Sequence, residues 1–152
     1  MAHTPVNHPA RPIYRAIGGL TGLYLVVFGV LGLIATVGDE LWAQGDNTAV
    51  LGQGTNLGFS LLSVLLGGAV LAGTAIGRNV DVLINQGLGY AGIVLSLLGL
   101  AFLRTEANFF NFNIATVLVL MVTGLVLLMV GMYGKVGTDA EQEAWQKARL
   151  VL

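Results

Sequence analysis

The sequence predicts an all-α membrane protein, a bundle of four transmembrane helices, and three observations carry that expectation. Four stretches, 16–37, 57–76, 84–103 and 114–133, contain no acidic, basic or histidine side chain. Each is long enough, at about 1.5 Å rise per residue, to cross a hydrocarbon core of about 30 Å as a helix. The 152-residue chain is 55% hydrophobic and only 10% charged, a balance that exposes too much apolar surface for a soluble monomer but suits lipid. Residues 1–137 are expected to form one membrane domain and residues 138–152 a short amphipathic tail helix.

The elements follow in order. Pro5, Pro9 and Pro12 with polar neighbours predict a flexible N-terminal tail without a helix before Ile13. His3 and His8 in that tail lack a third ligand and predict no metal site. The first span follows Arg11 and Arg15 but exceeds the roughly 7 to 15 apolar residues of a secretory signal, and Gly38, Asp39 and Glu40 follow without a cleavage pattern. It reads as a retained signal anchor. The longest loop, 38–56, reads as turns through Gly45, Gly52 and Gly54 with Asp46, Asn47 and Asn56. Asn56 and Asn113 stand where they would cap spans two and four. Between spans three and four, Asn108, Phe109, Phe110, Asn111, Phe112 and Asn113 read either as an aromatic belt or as a docking patch for another membrane protein. After Gly137, Thr138 and Glu141 have capping-box spacing, Glu143 and Lys147 are four apart, and Trp145, Ala148 and Leu152 share a face that would meet the membrane surface, a partner or solvent.

Charge sets the orientation. Arg11, Arg15, Arg78, Lys135, Lys147 and Arg149 fall on the side of the termini, whereas the other side has Arg104 alone with Asp39, Glu40 and Asp46 in its first loop. The positive-inside rule therefore predicts cytoplasmic termini. Tyr14, Trp42 and Tyr133 occupy interfacial positions.

The two halves of the chain echo one another, a tandem repeat of helical hairpins. Gly22, Gly29, Gly32 and Asp39 match Gly89, Ser96, Gly99 and Glu106 at one offset, and Asn56, Gly67, Gly77 and Arg78 match Asn113, Gly124, Gly134 and Lys135 at another. Small residues spaced for close helix contact are Gly18, Gly22, Gly29, Gly32, Ala69, Gly73, Gly77, Gly92, Ser96, Gly99, Gly124 and Gly131. Their partners are helices of this chain or of a neighbour, a choice that spacing leaves open.

The chemistry available is narrow. The net charge of -1 argues against a nucleic-acid partner, and the absence of cysteine removes thiolate chemistry. No His, Asp, Glu or Lys lies in the four stretches to activate Ser60 or Ser63, or to couple transport to protons or ions. Met121, Met129 and Met132 are gap fillers rather than haem ligands. Catalytic residues, metal ligands and cofactors are therefore expected to be none. Tyr24 and Tyr90 could flank a lipid or quinone headgroup or serve as anchors.

The chain resembles a family of small four-helix membrane proteins, common in actinobacteria, classed as a domain of unknown function. The resemblance rests on His8-Pro9 with Arg11, Ile13-Tyr14-Arg15, Gly52-x-Gly54-Thr55-Asn56 before Phe59-Ser60-Leu61-Leu62, Ile76-Gly77-Arg78-Asn79 with Asp81, Arg104-Thr105 with Asn108, Asn111-Phe112 and Tyr133-Gly134-Lys135-Val136-Gly137. It implies a bacterial plasma membrane and transfers no activity. The five Arg against two Lys accord with a high-GC genome. The leading expectation is a non-enzymatic scaffold or accessory subunit in contact with lipid and packing against another membrane protein or itself, with Phe109, Phe110, Phe112 and Trp145 as contact residues. The alternatives are a homo-oligomeric channel or carrier for a small neutral solute, and a lipid-binding or quinone-binding protein.

Overall fold

The computed structural model describes residues 5–45 and 48–149, without the Arg149 side chain. His3, Asp46, Asn47 and Leu152 lie outside the described residues. Four helices are long and apolar enough to cross a membrane: α1 (Arg11–Ala35), α2 (Leu57–Ile76), α3 (Val80–Phe102) and α4 (Ile114–Tyr133). A short α5 (Asp139–Arg149) follows, and a two-stranded hairpin, β1 (Ala49–Val50) with β2 (Gln53–Gly54), lies between α1 and α2. Its turn places Leu51 and Gly52 at φ 53 and 79, the left-handed pair that matches the twist of a two-residue hairpin.

Spans two and four begin and end where the apolar pattern places them because asparagine fixes both starts. Asn56 Oδ1 accepts from Phe59 N at 2.9 Å, and Asn113 Oδ1 accepts from Thr116 N at 2.8 Å. Spans one and three start earlier than expected. Pro12 in the first turn needs no N–H partner, so α1 opens at Arg11 and carries Arg11 and Arg15. Helix α3 opens at Val80 and carries Asp81, Asn85 and Gln86. Arg11, Arg15 and Asp81, outside the predicted spans, are thus helical and pair with one another across elements.

The N-terminal segment also departs from expectation. Val6 is buried, Asn7 Nδ2 donates to Gly137 O at 2.9 Å, and Gly137 N donates back to Asn7 Oδ1 at 3.1 Å. His8 packs edge-on to Tyr14 and Tyr133, which stack with centroids 5.0 Å apart. Described residues 5–10 are docked rather than loose. At the start of α5, Thr138 N donates to Glu141 Oε2 at 2.8 Å and Glu141 N to Thr138 Oγ1 at 3.3 Å, a capping box that holds the Glu141 carboxyl below its usual pKa.

Helix α1 packs chiefly on α2, and α3 on α4, with sparser contact between the hairpins. Lipid offers apolar groups no advantage in leaving it, so each hairpin is held by close backbone approach. A methyl at Gly22 would stand 3.1 Å from Gly67 O, and one at Gly67 2.7 Å from Gly22 O. Gly89 and Gly124 repeat this crossing, each 2.9 Å from the other's carbonyl oxygen. Further out, Gly29 approaches Ser60 O, where the matching Ser96 donates its hydroxyl to Val117 O at 3.0 Å. The two hairpins are therefore alike in their contacts as well as in sequence.

The small residues are used inside the chain. Gly18 faces Val130 and Asn85, Gly32 faces Ser60, Gly73 faces Ile84, Gly77 faces Arg15, Gly92 faces Gly124, Gly99 faces Phe112 and Gly131 faces Gln86. Ala69 is half-buried. By contrast, a methyl at Gly68 or Gly87 would meet nothing within 4 Å.

Gly67→Ala must push the α1 backbone away and is expected to cost about 1–3 kcal/mol, the range for overpacking a filled site. Gly68→Ala, one residue on, is expected to leave stability unchanged or raised. Thermal unfolding of the two variants in detergent gives the comparison, and equal losses would refute the crossing.

Candidate functional site

The seam between the hairpins carries the features that packing alone does not account for. At its outer end, away from the termini, the loops interlock through asparagine. Asn56 Nδ2 donates to Phe109 O at 2.7 Å, Asn113 Nδ2 to Gly52 O at 3.0 Å, and Asn111 Nδ2 to Thr55 O at 3.2 Å. Beneath them Phe28, Phe59 and Phe112 form a buried aromatic cluster, with the Phe59 ring 5.8 Å from Phe28 and 4.7 Å from Phe112.

This cluster redirects the predicted contact residues. Phe112 is 5% exposed, and Phe110 packs on Trp42, Phe59 and Phe112, so two of the three loop phenylalanines are structural. Phe109 is exposed, and Trp145 is half-buried on α5. Asn111 and Asn113 bond to the backbone of the other hairpin and Asn108 to Leu103 O and Phe112 O of its own, which holds the loop with Phe110 and Phe112 packed inward.

At the inner end, beside the termini, charge crosses the seam. Asp81 is 3% exposed and its Oδ2 lies 3.4 Å from Arg11 Nη2 and from Arg15 Nε, so α3 of the second hairpin holds two cations of α1. Arg11 Nε also donates to Gly134 O at 2.8 Å, and Arg15 Nη2 donates to Thr74 O. A buried carboxylate among helices is costly unless paired, and here two guanidiniums share it. One turn further into the membrane, Asn85 is 2% exposed beside Gly18. Arg15 Nε, Thr74 Oγ1 and Asn85 Oδ1 are buried and have no hydrogen-bond partner among the described residues.

Arg11, Arg15 and Asp81 lie outside the charge-free stretches 16–37 and 84–103, and Asn85, within the second of these, carries no charge that would single it out. A signal was present: Arg11 and Arg15, and Asp81 and Asn85, are each four residues apart and so share a helix face.

Between the two ends lies an apolar cavity of about 330 Å³, lined by Phe59, Leu62, Ser63 and Leu66 of α2, Leu88, Ala91, Gly92 and Leu95 of α3, Leu25 of α1, and Leu120, Thr123, Gly124 and Leu127 of α4. Ala91 is exposed and stands at its mouth between α2 and α3. The repeat explains why this seam is hollow. Where Gly22 corresponds to Gly89, Tyr24 and Leu25 correspond to Ala91 and Gly92. Tyr24 stands between α1 and α4, stacked on Phe28, and its hydroxyl accepts from Gln53 Nε2 at 2.6 Å. The α1–α4 seam thus carries an anchored aromatic ring with an open surface groove beside it, lined by Ile17, Leu20, Thr21, Val122 and Val126, whereas its counterpart at Ala91 has no ring and holds the more enclosed cavity. Tyr24 is tied to the outer loop rather than to the inner side, and Tyr90 is exposed, so the two tyrosines do not flank one site.

Four of the hydroxyls within the spans are turned onto backbone. Thr21 bonds to Ile17 O, Ser63 to Phe59 O, Ser96 to Val117 O and Thr116 to Gly54 O. Among the described residues no group of three His, Asp or Glu gathers for a metal.

Residues 15–133 match the family model described as Domain of unknown function (DUF4383). The chain belongs to this family. The DUF4383 match runs from Arg15 to Tyr133 and so takes in Asp81, Asn85, Thr74 and the whole lining of the cavity, while Arg11 and α5 lie outside it. No curated protein and no solved structure matches the chain.

Asp81→Leu leaves two guanidiniums without their counter-charge and is expected to lower stability by about 3 kcal/mol, the lower end for breaking a buried pair. Replacing Arg11, Arg15 and Asp81 together with leucine should recover part of that loss. Thermal unfolding in detergent at fixed pH measures both, and a triple variant weaker than Asp81→Leu would contradict the pairing.

Proposed function

We propose that this protein is a non-enzymatic, multi-pass component of a bacterial plasma membrane that holds a hydrocarbon chain of a membrane lipid in the seam between its hairpins. The observation that carries this reading is the cavity of about 330 Å³. Its size is at the lower end of ligand pockets, about 300–1,000 Å³, and suits a stretch of one chain better than a ring system. Its lining is almost wholly leucine, phenylalanine and small residues. An empty cavity of this kind forfeits dispersion contacts on every wall, and in a bilayer acyl chains stand at its mouth. Cytoplasmic termini are part of this reading, supported by the basic residues at their end, Arg11, Arg15, Arg78 and Lys135 among them, against Arg104 at the other.

A second reading, lateral association with another membrane protein or a second copy, is favoured by Gly68 and Gly87. Glycine weakens a helix by roughly 1 kcal/mol relative to alanine, and these two face outward on α2 and α3 with nothing against them. At the corresponding positions of α4 and α1 stand Leu125 and Leu20.

Native mass spectrometry of protein purified gently from membranes tests the first reading. A stoichiometric lipid is expected on the unaltered chain and is expected to be lost from Ala91→Phe, whose ring fills the mouth, with thermal stability kept or raised. Lipid retained equally by Ala91→Phe would sink it. For the second reading, Gly68→Leu with Gly87→Leu is expected to reduce co-purification of any stoichiometric protein partner while leaving the lipid in place.

A further inference from the structure

We infer that the inner end of the same seam binds the anionic phosphate headgroup of that lipid, with Arg15 as its cation and Thr74 and Asn85 as polar neighbours. The inference rests on the chain-holding reading above and names the chemistry of the ligand's other end.

The placement comes first. On α3, Asp81, Asn85, Leu88 and Gly92 fall on one helical face, and on α2, Ser63, Leu66, Val70 and Thr74 do the same. Leu88, Gly92, Ser63 and Leu66 line the cavity. Asp81, Asn85 and Thr74 continue those two faces toward the terminal end. The distance along α3 from Leu88 to Asp81 is about 10 Å at 1.5 Å per residue, within the reach of one lipid molecule. The seam therefore changes from apolar to amide and hydroxyl to guanidinium along its length, the order of groups along an amphiphile.

The unsatisfied groups come second. Asn85 is 2% exposed and its Oδ1 has no hydrogen-bond partner among the described residues, nor has the buried Thr74 Oγ1, while Arg15 Nε makes no hydrogen bond and only the 3.4 Å ion pair with Asp81. Buried polar atoms in native proteins are paired with few exceptions, and Asn85 Oδ1 and Thr74 Oγ1, which stand against the neighbouring residues Gly18 and Gly19 of α1, are left over by intrachain bonding. Thr74 and Asn85 can both donate to an anion, Asn85 by turning its amide nitrogen where the oxygen now stands.

Charge comes third. Asp81 faces two arginines, so the cluster keeps one positive charge in excess, and both of its contacts, at 3.4 Å, are longer than the 2.7–2.9 Å of a close charge-assisted bond. Asp81 orients the guanidiniums without saturating them. The Arg15 side chain is 33% exposed, which leaves it reachable from the headgroup layer. Basic pockets between transmembrane helices at the cytoplasmic boundary are where anionic headgroups are held.

The test is competitive loading of delipidated full-length protein with equimolar phosphatidylglycerol and phosphatidylcholine of matched chains, read by native mass spectrometry, with inorganic phosphate as a third arm. The unaltered protein is expected to keep the anionic lipid over the zwitterionic one by about tenfold, the least expected for one hydrogen bond to a charged group. Arg15→Gln and Thr74→Val are each expected to bring that ratio toward one while total lipid stays constant, and Arg15→Lys to restore most of it. Ala91→Phe should lose both lipids alike. Inorganic phosphate should not displace the lipid. Equal retention of both lipids, unchanged by Arg15→Gln, overturns the headgroup site and leaves the chain site standing. Displacement by inorganic phosphate overturns it in favour of a soluble anion. Retention of neither lipid by the unaltered protein overturns the chain-holding reading itself.

Discussion

In a bilayer a leucine gains little by exchanging lipid for another helix, so cohesion between helices has to come from backbones that approach closely and from polar groups that find one another. The glycine crossings, Gly22 on Gly67 and Gly89 on Gly124, meet the first requirement, and each makes a rigid hairpin. The asparagines at one end and the Arg11, Arg15 and Asp81 cluster at the other meet the second, and these join hairpin to hairpin. The middle of the seam has neither device. It has no glycine crossing between α2 and α3 at the depth of Ala91 and no buried hydrogen bond across it among the described contacts, and that is where the cavity lies.

This division explains which parts of the fold were legible in the sequence. Spans two and four were read to the residue because an asparagine opens each and a glycine, Gly77 or Gly134, closes it, and both signals are local. Spans one and three were cut short because a charged side chain was taken to mark water. Arg11 and Arg15 are on α1 and Asp81 on α3, and each tolerates its place only because the other is there, a fact that depends on two elements separated by most of the chain. The same holds for the N-terminal segment. Three prolines speak against a helix, but nothing in them tells that Val6 will be covered or that Asn7 will bond to Gly137.

The site was less legible than the fold. A cavity consists of volume that side chains do not fill, so Ala91 looks unremarkable in one sequence and Gly92 reads as a helix-packing residue. Only the comparison of halves gives them meaning, because Tyr24 and Leu25 occupy the matching positions. The aromatic loop erred in the other direction. Phe109, Phe110 and Phe112 look alike in composition, yet Phe112 is in the core and Phe109 in the open, and the difference is set by where the neighbouring asparagines bond.

The contact between Asn7 and Gly137 has a consequence for the order of the chain. Because the segment before α1 lies against the segment after α4, the path through the four helices returns to where it began. The two hairpins form like contacts within themselves, and neither depends on being made first. A chain opened in the short turn between α2 and α3 and joined between residues 7 and 137 would therefore run second hairpin then first and still bring the same seams together. In this protein the four helices close a ring, and the chain enters and leaves it at the same place.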